Sequence, residues 1–254
     1  MIVLLAPSEG KTAPALGAAP LDLDALAFPE LTPMRLDLIA RVEKLTTVAP
    51  KRALAALGLK PGQASELDRN RDLLHAPAAP AAEVYTGVLY QHLDLPSSPP
   101  LVLRRAHERL YVASALWGVL RIGDRIPAYR LSIGASLPRF GGLATRWRPA
   151  LTKALPADAF VVDLRSSGYA AAWRPAAGTV VEVRAFTEQN GRRTPVSHMV
   201  KAVRGEVARL LVEADAAASD PESVADLVER NGDSVELAAP AKPGAAWRLD
   251  VIRP

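Results

Sequence analysis

A single compact α/β domain with a mixed central sheet and flanking helices is the fold class this sequence predicts, and three observations carry it. The apolar run Met1 to Leu5 and the β-branched and aromatic stretch Phe160 to Leu164 have the length and residue types of buried strands, and small polar residues follow each. Stretches of helical period separate them, which is the order expected of βα crossovers. The last third of the chain carries hairpin signals, Asn190-Gly191 and a turn over Pro240 to Gly244, that add antiparallel strands to such a sheet. No internal repeat is visible, and 254 residues can bury one large core spanning 1–254.

The first strand leads into Pro7-Ser8-Glu9-Gly10-Lys11-Thr12. Strand followed by Gly-Lys-Thr is similar to a phosphate-binding P-loop, but the match fails. The pattern wants a glycine where Leu5 stands, and Ala13-Pro14 cannot open the helix that would hold phosphates. Lys11 beside Ser8 remains a candidate anion ligand. Pro20 to Pro33 reads as an irregular surface segment. Arg35 to Thr47 places Leu38, Ile39, Val42 and Leu45 at helical spacing, with its charges on the far side. Two short helices, 51–57 and 63–73, follow around Gly58 and Pro61-Gly62. The Ala/Pro tract at 76–82 is a loop and not a domain boundary.

Tyr85-Thr86-Gly87 puts a phenol and a hydroxyl beside a position of free backbone geometry. A helix over 101–110 feeds the stretch Tyr111 to Gly134, around which the chain is organised. Tyr111 to Leu116 reads as a buried strand, Trp117-Gly118 breaks it, and Val119-Leu120 carries it on to Arg121. Gly123-Asp124 makes a turn, and Tyr129 to Ile133 alternates like a strand. Arg121, Tyr129 and Arg130 thus leave the core within ten residues, a way to build an anion-facing wall. The plain alternative is two surface arginines beside a buried hairpin.

A helix over 144–155 carries Arg146, Arg148 and Lys153 on one face. The strand ending at Leu164 is followed by Arg165-Ser166-Ser167-Gly168-Tyr169, and small polar residues past a buried strand are where α/β proteins place ligands. Ser166 could equally cap the next helix. A strand over 179–187 precedes a helix over 195–214, on which Ser197, Lys201 and Arg204 lie along one flank of the apolar stripe. Gly205 beside them costs helix stability, so something packs closely there. Asp220-Pro221 opens a last helix before the terminal hairpin over 231–252.

Composition excludes several chemistries. With no Cys, the chain has no disulfide framework, Cys-ligated metal or thiol nucleophile. The four histidines are scattered without metal-ligand spacing, and no carboxylate pair stands out as acid and base. No metal and no cofactor are expected. Residues 1–6 are too short a run for a signal peptide, and no stretch approaches a membrane span, so the expectation is a cytoplasmic protein. A formal charge of +4 permits an anionic partner without demanding one. What recurs is cation plus hydroxyl, which suits phosphate or carboxylate groups if the elements converge.

Tyr85-Thr86-Gly87, Leu116 to Arg121 and Pro127 to Leu131 together resemble the sequence blocks of the YaaA family, the peroxide-stress proteins of bacteria. Pro7 to Thr12 is similar to the family's N-terminal block in a variant with an extra Glu-Gly. Leu164 to Tyr169 and Ser197 to Gly205 resemble two further blocks, in the right order along the whole chain. The resemblance implies a positively charged cleft, DNA binding through a helix-hairpin-helix-like element, and a role in limiting free intracellular iron during peroxide stress. Carried over, the glycine turn of that element falls around Trp117 to Arg121. The expected DNA- or anion-binding residues are Ser8, Lys11, Tyr85, Gly87, Trp117, Gly118, Arg121, Tyr129, Arg130, Ser166, Tyr169, Ser197, Lys201 and Arg204. The implied partner is duplex DNA or a small anionic ligand, with no membrane, for a chain acting as a monomer. The alternative is an enzyme working on a small nucleotide- or amino-acid-like anion in the same cleft. Aromatic residues at 5% argue against a stacking platform for single strands.

Overall fold

The computed structural model describes residues 1–189, 192–195 and 199–253. Among these residues ten strands are found: β1 (Ile2–Leu5), β2 (Ala79–Pro80), β3 (Leu110–Ser114), β4 (Gly118–Arg121), β5 (Arg125–Ile126), β6 (Val161–Leu164), β7 (Val180–Gln189), β8 (Arg192–Pro195), β9 (Ser234–Ala238) and β10 (Trp247–Arg253). Eight of them form one sheet in the order β4-β3-β1-β6-β7-β10-β9, with β8 on β7; β2 and β5 pair separately. Strands β3, β1, β6, β7 and β10 run parallel to one another, and β4, β8 and β9 join antiparallel. The sheet is therefore mixed, as the alternation of crossovers and hairpins predicts.

β1 is buried over all four residues and lies inside the sheet between β3 and β6, which explains why its sequence is a continuous apolar run and not an alternating one. Val112 and Leu164 both pair with Leu5, so β1 and β6 end together and β3 runs two residues further, to Ser114. The chain leaves β1 toward β3 on one side and returns to β6 on the other. The segments after these strands thus open at a topological switch point, where open α/β sheets place ligands.

The helices are α1 (Thr32–Val48), α2 (Pro50–Ala56), α3 (Ala81–Val84), α4 (Val88–Leu93), α5 (Pro100–Arg109), α6 (Leu143–Ala154), α7 (Ser167–Ala170), α8 (Met199–Glu213) and α9 (Pro221–Arg230). The second of the two short helices expected after α1 is a 3-10 helix, Pro61–Asn70. At α9, Asp220 accepts the Ser223 amide in a reciprocal capping box with Pro221 at the first position, as its sequence announces. The Ala/Pro tract is not purely loop: it contributes β2 and the start of α3, and β2 pairs with β5. No helix among the described residues is long and apolar enough to cross a membrane.

Two local expectations are corrected. Tyr129 to Ile133 belongs to no strand, and Ile133 already lies in a turn closed by the Ala135 amide on the Ser132 carbonyl. Its backbone is met by a side chain instead: buried Asn70 accepts the Arg130 amide at 2.8 Å and donates to the Arg130 carbonyl at 2.7 Å. Arg35 does not face solvent with the other charges of α1. It is fully buried and donates to the carbonyls of Trp117, Ala27 and Val119, tying α1 to the β3–β4 hairpin. Asn190-Gly191 lies outside the described residues, although the antiparallel pairing of β7 with β8 is present.

Candidate functional site

The Lys11 amine is the centre of what converges at the switch point. β1 delivers the 6–11 segment past the sheet edge, and an isolated bridge between Lys11 and Tyr85 fixes it against the end of α3. The Lys11 Nζ donates to the Ser8 carbonyl at 2.8 Å and lies over the ring of Tyr129, 4.3 Å from its centroid, and that of Tyr85, 5.5 Å away. Only 8% of the residue is exposed, and no carboxylate forms an ion pair with it among the described residues. Burial pulls its pKa down to about 7; the Glu9 carboxylate opposes that shift, while Arg130 and Arg69 reinforce it.

Behind the amine runs a chain of hydroxyls. The Tyr85 and Tyr129 hydroxyls are 2.8 Å apart, and that of Tyr129 is 2.7 Å from Ser114 Oγ. Lone-pair counting sets the direction. Ser114 Oγ accepts the Leu116 and Trp117 amides at 3.2 and 3.1 Å, so its own proton goes to Tyr129. Tyr129 then donates to Tyr85, and the Tyr85 proton is the one left over. Burial, before any other cause, raises the pKa of both phenols, so they stay protonated donors. Trp117 meets the Tyr129 ring edge-on at 5.8 Å and backs the relay.

Around this core, Arg130 pairs with Glu9, and Arg69 donates to the Lys11 carbonyl at 2.9 Å. Tyr169 is close enough to Tyr129 and Arg130 for their charges to act on it, but its pKa is raised mainly by burial. Ser8 Oγ accepts the Thr86 amide at 2.9 Å, and a Cβ on Gly87 would touch the Ser8 side chain at 3.8 Å. Tyr85, Thr86, Gly87 and Tyr90 also form one wall of an open cleft of about 850 Å³, whose far side is Leu103, His107 and Gly123.

Ser8, Lys11, Tyr85, Gly87, Trp117, Tyr129, Arg130 and Tyr169 are thus gathered at one place. The others are not. Arg121 pairs across the hairpin with Tyr111, and Gly118 with Ser114, so the antiparallel register carries Arg121 to the opposite end of the strands. There it stacks on the Tyr111 ring at 3.8 Å and donates to the Glu108 carbonyl at 2.7 Å, at the end of α5. Gly118, at φ +76°, leaves room for the Trp147 ring, which a Cβ would approach at 2.7 Å; its role is packing. Arg204 donates to the Val183 carbonyl and braces β7. Lys201 is exposed on α8, and Ser166 is exposed at the head of α7 without a side-chain cap bond. Ser197 lies outside the described residues. Sequence reading missed Ser114, Glu9 and Asn70. A serine ending an apolar strand was the available signal for the first; Asn70 was hidden in a charged run.

The glycine turn expected at Trp117 to Arg121 is a β-hairpin, because β3 and β4 pair there. A helix–glycine–helix unit is found elsewhere: α2, Gly58 at φ +66°, and the 3-10 helix Pro61–Asn70. Beside it runs a groove of about 320 Å³ lined by Arg41, Lys44, Arg52 and Arg139. Arg41 and Arg146 sit on the Phe140 ring, each 5.0 Å from its centroid. No group of three or more His, Cys, Asp or Glu placed to hold a metal occurs among the described residues.

Residues 1–233 match a family model described as peroxide stress protein YaaA. A UPF0246 protein of Streptomyces coelicolor is 42% identical over 99% of this chain and 98% of its own length. A UPF0246 protein of Corynebacterium efficiens is 39% identical over 93% of this chain and 95% of its own. An uncharacterized protein of Campylobacter jejuni is 28% identical over 81% of the chain and 82% of its own length.

Proposed function

Because the chain belongs to the YaaA family of peroxide stress proteins, we propose that it is a stress-response enzyme whose Lys11 amine moves a proton on a small anionic substrate. The observation that carries the reading is the Lys11 amine itself, buried over two phenols with backbone carbonyls as its hydrogen-bond partners. A lysine in that setting is poorly suited to be a fixed charge and well suited to gain and lose a proton near neutrality. Tyr85, at the end of the hydroxyl relay, keeps its proton and offers a hydrogen bond, and Arg130 draws the anion in. A duplex-binding stripe would need many exposed cations, and this site has few, largely buried ones.

The test is pH-dependent labelling of the folded chain with trinitrobenzenesulfonate, which attacks neutral amines, with peptide mapping of the product. Lys11 should be modified half-maximally near pH 7, while exposed lysines show an ordinary curve near pH 10. A Lys11 profile like that of the exposed lysines would remove the reading.

Duplex DNA binding is the second reading, favoured by the helix–glycine–helix unit beside the basic groove. Reversing Arg52→Glu and Arg139→Glu should weaken binding to a short duplex and flatten its salt dependence, by roughly one unit of log–log slope for each phosphate no longer neutralised. Arg130→Gln should leave both unchanged. Binding that loses neither strength nor slope in the double reversal would discard DNA binding at this groove.

A further inference from the structure

Arg130 has one carboxylate partner among the described residues, Glu9, and its Nη1 also donates to the Glu9 carbonyl at 3.2 Å. The two partners are held very differently. The Arg130 side chain is 17% exposed, and Asn70 clamps its backbone at both amide and carbonyl. The Glu9 side chain is 63% exposed, on a segment with no regular structure, and Gly10 comes next. An ion pair with one such exposed member contributes little to stability. A prepared guanidinium is therefore covered by a carboxylate that is cheap to displace. Beneath the pair, the Lys11 Nζ reaches to 3.5 Å from the Glu9 carbonyl, and Arg69 and Glu66 complete the charges acting on the amine. The flanking residues Ser8 and Gly10 rest against Gly87 and Thr86, which line the open cleft, so the pair lies next to that cleft.

We infer that the Glu9 carboxylate occupies the position of the substrate's own oxyanion, and that the substrate carries a carboxylate or phosphate group which displaces Glu9 from Arg130 and comes to lie beside Lys11. The inference deepens the proposed reaction at Lys11 and rests on it for the chemistry after binding. A planar guanidinium fork accepts either oxyanion bidentately, and Glu9 is the tethered competitor that keeps the site filled when no substrate is present. Binding of that group also supplies the negative charge that favours the protonated amine.

Calorimetric titration of the full chain with two separate probes, inorganic phosphate and succinate, tests this. Glu9→Gln should bind at least one probe on the order of tenfold more tightly than the unaltered chain, because an intramolecular competitor is removed. Tightening for phosphate alone identifies a phosphate ligand, and tightening for succinate alone a carboxylate. Adding Arg130→Gln to Glu9→Gln should abolish the gain. Arg130→Lys, which keeps the charge and loses the fork, should abolish most of it and serves if the glutamine variant does not fold. If Glu9→Gln binds neither probe more tightly, or if the gain survives loss of the Arg130 fork, the inference is wrong. Amine labelling stands apart from this outcome. An ordinary Lys11 profile together with tightened probe binding would overturn the reaction and leave the anion subsite in place.

Discussion

Replacing Lys11 by Met should remove a gain in stability of about 2 kcal/mol that the unaltered chain shows between pH 7 and 9. The sign is set by where the proton sits. In the unfolded chain the amine keeps its proton up to its ordinary pKa of 10.5, whereas burial lowers that value to about 7 in the folded state. Between those limits the unfolded state binds more protons than the folded one, so stability rises with pH. Below pH 7 both states are protonated, and the folded chain carries the whole cost of a buried ammonium. Met has a similar length and no charge to desolvate. It should therefore be the more stable form at pH 7, even after losing the bond to the Ser8 carbonyl. Urea unfolding of both proteins at pH 7, 8 and 9 provides the check, since histidines and other shared groups cancel in the difference. Parallel pH dependences for the two would mean that the folded amine titrates normally.

Gly205→Ala should destabilise the protein by about 3 kcal/mol, the range of a severe overpacking substitution. An exposed glycine inside a helix ordinarily gains about 1 kcal/mol on becoming alanine, so the direction of the change is itself informative. At this position an added Cβ would stand 2.2 Å from the Leu89 carbonyl oxygen and 2.8 Å from the His92 Cβ. The first obstacle is backbone and cannot rotate away. To admit the methyl group, α8 must move off α4, and α4 carries Tyr90, whose hydroxyl donates to the Ala6 carbonyl at 2.9 Å just past β1. Thermal unfolding would show the loss as a drop of roughly 6–12 °C for a domain of this size. A rise in the midpoint would show that the helices do not approach so closely.

Much of this protein was decided locally and is legible in its residues. A continuous apolar run such as Ile2–Leu5 can be satisfied only between other strands. Asp220-Pro221 before an amphipathic stretch starts a helix wherever it occurs, and the late turn at 240–244 returns β9 onto β10. The family blocks, too, are properties of the chain read in order. Tertiary structure decided the rest, wherever a residue's role depends on a partner far along the chain. Tyr129 to Ile133 has the alternation of a strand, but a side-chain amide from Asn70 takes the place of a neighbouring strand. Arg35 carries the same charge as the exposed arginines around it, yet three carbonyls brought from other segments make it a core residue. Arg121 and Arg130 look equivalent in sequence; antiparallel register sends the first to the far end of the sheet. Lys11, finally, is one lysine among several until β1, the end of α3 and the 129–130 segment close over it. Its lowered pKa is a consequence of desolvation, which exists only once those elements have packed.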